Sequence, residues 1–154
     1  MPATTLNTIK TRIKTILEDL QRQEILNDVQ VDDFKSGALS RNFSKFPVAV
    51  LTSPQIESAA LTNSQNIRTY LFEILVVMKG EEVTDAAQVE DLIENILNEF
   101  DNDPTLKAGE NVGVADGAVE PSTSSPEAVV SGDKSYISFF ITLRVRAVRD
   151  LTFV

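Results

Sequence analysis

The stretch YISFFITLRVRAV, residues 136–148, alternates apolar and polar side chains without interruption. Ile137, Phe139, Ile141, Leu143, Val145 and Ala147 fall on one side of a strand, and Tyr136, Ser138, Phe140, Thr142, Arg144 and Arg146 on the other. The pattern predicts one long strand with a single face in the core. A strand of thirteen residues spans roughly 40 Å at ~3.3 Å per residue. A compact domain of 154 residues has a diameter of roughly 40 Å by the usual size scaling. Such a strand either bends or carries its end past the core. A projecting sheet edge is a hazard unless covered, and the expected cover is another copy of the chain.

A second long strand is predicted over NIRTYLFEILVVMKG, residues 66–80, which is rich in β-branched and aromatic residues and ends at Gly80. Both of its faces are mostly apolar, so it is expected to be central and covered on both sides over its second half. Two helices are expected. Leu6, Ile9, Ile13, Ile16, Leu17 and Leu20 recur at helical spacing after Thr4 or Thr5 as N-cap. In TDAAQVEDLIENILNEF, Val89, Leu92, Ile93, Ile96, Leu97 and Phe100 form one stripe behind Thr84 or Asp85. PVAVLT, residues 47–52, reads as a shorter strand, and Lys35 to Lys45 as an exposed loop. The stretch from Lys107 to Lys134 is rich in Gly, Ser, Pro and Ala and is expected to be a flexible, partly disordered loop, with EPSTSSP at its tip and a weak hairpin around Asp116-Gly117. The resulting fold class is α+β: one domain over 1–154, a mainly antiparallel sheet with two amphipathic helices packed on it, and a long loop before the last strand.

Composition narrows the chemistry. The chain has no cysteine and no histidine, which excludes disulfides, thiolate metal sites, thiol nucleophiles and a histidine-based triad. A net charge of -9 repels a phosphate backbone and argues against gripping DNA. No apolar run approaches the roughly 20 residues of a membrane helix, and MPATTLNTIKTRIK lacks the apolar centre of a signal peptide. A protein made in the host cytoplasm, without membrane association, is expected.

Local motifs supply little catalysis. DNDPTLKAGE, residues 101–110, opens like a calcium loop with Asp101, Asp103 and Thr105, but Leu106 stands where Gly is needed and Val112 where Glu is needed. It reads as a helix end stopped by Pro104. Glu81 with Glu82, and Asp32 with Asp33, are acidic pairs of a kind that mostly faces solvent. No catalytic residue, metal site or cofactor is expected. What stands out is charge: Arg144, Arg146 and Arg149 at the end of the last strand, against Glu90, Asp91, Glu94 and Glu99 on the second helix. If the two sets lie on opposite sides of the subunit, they suit a head-to-tail contact that closes into a ring.

The order of elements resembles the tail terminator, or tail completion, proteins of tailed bacteriophages. The resemblance rests on the amphipathic N-terminal helix, IRTYLFEILVV as a long strand, VEDLIENILNEFDNDPTL as a helix ending in an Asp-Pro-Thr-Leu turn, and YISFFITLRVRA as the closing strand after a variable loop. It implies a homo-oligomeric ring, typically a hexamer, that caps the head-proximal end of the tail tube, stops tube growth and meets the head connector or neck protein. It implies a place in the virion, with DNA passing through an acidic lumen without specific binding. Loops commonly make such rings' contacts, which adds Arg41 and Lys45 in the first loop, and the 107–134 segment, to the candidate interface. The alternatives are a head-completion or neck protein of the head–tail junction, and an acidic-site enzyme, which would need a pocket of carboxylates with perturbed pKa.

Overall fold

The computed structural model describes residues 5–32, 43–106, 113–114 and 118–150. Among them are two α-helices and a seven-stranded, mostly antiparallel sheet. The sheet is organised around strands β4 (Gln65–Lys79) and β7 (Lys134–Asp150). They pair antiparallel without a break from Gln65↔Asp150 to Lys79↔Tyr136. On the inner face of this ladder Tyr70, Phe72, Ile74 and Val76 of β4 lie beside Val145, Leu143, Ile141 and Phe139 of β7, all buried. Large apolar cross-strand pairs of this kind are what stabilise a ladder beyond its hydrogen bonds.

The outer edge of β4 is shared by two short strands. β2 (Val48–Thr52) pairs its second half, and β3 (Gln55–Ala60) its first half. Pro54 sits in the gap between them. β1 (Asp28–Asp32) runs parallel to β2 on the far side. The outer edge of β7 is shared in the same way by β6 (Glu127–Ser131) and β5 (Val119–Thr123). Beyond β5 the Arg146 N–H donates to the Ala118 carbonyl at 3.0 Å and the Val148 N–H to the Gly113 carbonyl at 3.1 Å.

Two expectations are corrected here. The segment 107–134 contains β5 and β6; only residues 107–112 and 115–117, the Asp116-Gly117 turn among them, lie outside the described residues. Its proline- and serine-rich composition concealed a strand because β5 is an edge strand, where Pro121 needs no outward N–H partner. The last strand also needs no second subunit to complete its own hydrogen bonding, since β4 lies along one edge and β6, β5, Ala118 and Gly113 along the other.

Both helices cover the inner face. Helix α1 (Thr5–Arg22) buries Ile9, Ile13, Ile16, Leu17 and Leu20. It ends where Glu24 adopts a left-handed φ of 63°, and the Ile25 and Leu26 N–H groups turn back to the Leu20 carbonyl at 3.0 and 3.2 Å. This is the usual way a helix terminus satisfies its last carbonyls, with Glu where Gly is the common choice. Helix α2 (Ala86–Asp101) begins with Asp85 as N-cap: the Gln88 N–H donates to Asp85 Oδ1 at 3.2 Å, and Gln88 Oε1 accepts from the Asp85 N–H at 3.4 Å. It buries Val89, Leu92, Ile96 and Phe100.

The two helices are tied by charge as well. Arg12 of α1 donates through Nε at 2.7 Å and Nη2 at 2.6 Å to one oxygen of Asp103, just past α2. The pair is largely enclosed, with side-chain exposures of 17% and 11%. Asp103, the second acidic residue of the calcium-like motif, is therefore held by a guanidinium. Leu106, at the motif's turn position, takes a left-handed φ of 52° and is fully buried. On the outer face of the sheet a smaller core of Val48, Val50, Leu75 and Val77 is covered by Phe43, Phe46 and Tyr136. Both faces of β4 are thus buried over its second half.

Because a buried charge stripped of its partner is costly, Asp103→Ala is expected to lower stability by about 2–4 kcal/mol. Replacing both members with apolar residues, Arg12→Met with Asp103→Leu, is expected to cost less than the single change. Urea unfolding of the three proteins measures this, and equal losses would contradict the assignment.

Candidate assembly surfaces

The described residues gather into no group of three or more acidic, histidine or cysteine side chains able to hold a metal ion. No helix among them is long and apolar enough to cross a membrane. Of the acidic pairs, Glu81 is engaged by Lys79 Nζ at 2.9 Å. That hydrogen bond, with the attraction of the same carboxylate, raises the Lys79 pKa above its ordinary value. Asp32 is buried at the end of β1, contrary to the solvent-facing expectation, because β1 packs beside β2 instead of ending in an open turn. Asp33 lies outside the described residues.

The charged residues singled out in the sequence are distributed over different surfaces. Glu90, Asp91 and Glu94 are exposed on α2, in the helical layer. Arg144 and Arg146 project from the opposite face of the sheet, since alternate residues of β7 fill the core. Arg144 and Arg146 thus lie on the opposite side of the subunit from these carboxylates. The arginines are already partly matched within the chain: Glu120 of β5 reaches Arg146 Nη2 at 3.2 Å and Arg144 Nη1 at 3.8 Å. Arg149 parts company with them, because its odd position turns it to the helical side. Lys45 is exposed just before β2, whereas Arg41 lies outside the described residues.

The most open part of the molecule is an arm that sequence reasoning did not identify. All six residues of β3 are exposed. β3 pairs with the start of β4, which pairs in turn with the end of β7; Ala147 there still belongs to the core, whereas Val148 is exposed. The hairpin turn is closed by Leu61 and Thr62 N–H groups donating to the Gln65 carbonyl, both at 3.0 Å, and Asn66 Nδ2 donates to Ser58 Oγ at 2.8 Å. Ile56, Leu61 and Val148 on this arm are 47%, 48% and 39% exposed. Arg68 and Arg149 sit on its helical side, at diagonal positions of neighbouring strands, and neither forms a salt bridge among the described residues. The signal for the arm was present in the sequence as Pro54 followed by the LTNS turn, but nothing local says that the strand between them is exposed throughout.

At the other end of the sheet are two concavities. One, of about 520 Å3, opens between the start of α2 and β6 and is mainly apolar, with Val83, Val89, Ile93, Ala128 and Ile137 in its lining and Glu90 beside them. The other, of about 400 Å3, lies near the outer-face core and is lined by Phe43, Phe46, Tyr136, Lys79 and Lys134 among others. Its lining is charged as well, with Lys79 held by Glu81 and with Glu82, Asp133 and Lys134 beside them.

No family model matches this sequence, and comparison with curated proteins gives no match.

An exposed ion pair contributes little to folding, ~0–1 kcal/mol. Glu120→Gln is therefore expected to change the stability measured in urea by less than about 1 kcal/mol. A loss greater than about 2 kcal/mol would mean that the Arg144–Glu120–Arg146 cluster is part of the fold and not of its surface.

Proposed function

We propose that the chain is a structural virion protein, a tail terminator whose copies form a ring on the head-proximal end of a phage tail tube, arrest its growth and join it to the head connector. The observation that carries this reading is the arm: a subunit whose long strands are internally complete still presents a hairpin with exposed apolar side chains. Exposed apolar surface concentrated at one protruding element is characteristic of an interaction site. A net charge of -9 suits a ring through which DNA must slide without sticking. In this role the protein catalyses nothing, and its partners are further copies of itself, the tail tube protein and a connector or neck protein.

Purified tail tubes incubated with the protein and imaged by negative stain are expected to carry one ring at one end and to stop elongating. Attachment to isolated connectors but not to tubes would move the assignment to a head-completion or neck protein. Attachment to neither would overturn a role at the head–tail junction.

A further inference from the structure

We propose that the arm formed by β3, the start of β4 and the end of β7 docks into the groove between α2 and β6 of a second copy of this chain, with Ile56 as its apolar anchor and Arg68 and Arg149 facing Glu90 and Glu94. The proposal rests on the ring reading above and names the surfaces that build the ring.

Three observations converge on it. Ile56 pairs with Tyr70, and Arg68 with Ala147, so Ile56, Arg68 and Arg149 share the helical side of the arm. The groove is apolar where Val89, Ile93 and Ile137 line it, and Glu90 stands at its side with Glu94 a turn further along α2. The two surfaces are therefore complementary in both character and charge: an apolar anchor beside two cations, and an apolar recess beside two carboxylates. They also cannot meet within one molecule. Ten residues of β4 separate Arg68 from Met78, which pairs with Ile137 at the groove, a distance of roughly 33 Å along the strand. When each arm docks on the next copy and not reciprocally within one pair, the contact is head-to-tail, and it closes into a ring when the rotation permits.

In this proposal Arg144 and Arg146, on the other face and shared with Glu120, stand outside the contact. Arg149 keeps its place there, and Arg68 takes theirs.

The absence of cysteine from the chain makes the test clean. The double variant Ile56→Cys with Ile93→Cys, oxidised at a concentration where the protein is assembled, is expected to give a ladder of covalent multimers. Mixing the two single variants should stop at dimers. In solution, Arg68→Glu is expected to weaken association about tenfold or more, as reversal of an interfacial charge does, and Glu90→Arg added to it should restore most of the loss. If the wild-type ring forms while the ladder is absent and Arg68→Glu associates normally, the arm–groove contact is wrong and the ring stands. If wild-type protein assembles neither in solution nor on tube ends, the ring reading fails and this contact fails with it.

Discussion

The antiparallel ladder between β4 and β7 is the interaction on which the rest of the molecule depends. Its register, from Gln65↔Asp150 to Lys79↔Tyr136, decides which side of each strand faces the helices. Shifting one strand by a single residue would send Tyr70, Phe72, Ile74 and Val76 to the outer face and bring Glu73 inward. The two amphipathic helices have their apolar stripes matched to this one face, and it is this packing that supplies most of their stability. The ladder also sets the lengths of its neighbours. Both of its outer edges are lined in two pieces, β2 then β3 on one side and β6 then β5 on the other.

That division explains how a chain with complete long strands still leaves surface for a partner. Ladder edges are capped internally, so the unpaired edges pass to short peripheral strands. Among these β3 differs from β2 in kind. All of β2 is buried, against the inner core through Ala49 and Leu51 and against the outer one through Val48 and Val50. β3 is exposed throughout. The same edge of β4 is thus core at one end and arm at the other, and the change falls at Pro54, which lacks the N–H that would continue a ladder. Gly113 marks the counterpart on the β7 side. Its φ of 90° and the approach of the Val148 carbonyl to within 2.0 Å of where a Cβ would lie leave room only for glycine, and its carbonyl secures the strand where the arm begins.

What the sequence revealed follows the range of the forces involved. Both helices, the N-cap at Asp85 and the two long strands were legible because period, capping and β-branched content are local signals. The burial of both faces over the second half of β4 was legible for the same reason. β5 and β6 were not, because Val119–Thr123 is held by pairing with β7 and not by an apolar face of its own. The Arg12–Asp103 pair joins positions 91 residues apart and leaves no trace in either neighbourhood. Arg144, Arg146 and Arg149 read as one basic cluster in sequence, yet alternation sends the last to the opposite face. Arg68 joins it only through a register that no local pattern specifies. The long strand's length was real, but its completion came from within the chain, and the exposed apolar side chains sit on the hairpin beside it.

The central claim is that the ladder is self-sufficient and the arm is not. Amide hydrogen exchange, followed by mass spectrometry on dilute and on assembled protein, separates the two directly. Peptides covering 136–145 should exchange slowly in both samples, while peptides covering 55–68 exchange quickly when dilute and become protected on assembly. Rapid exchange of 136–145 in the dilute protein, or an arm as unprotected after assembly as before, would contradict it.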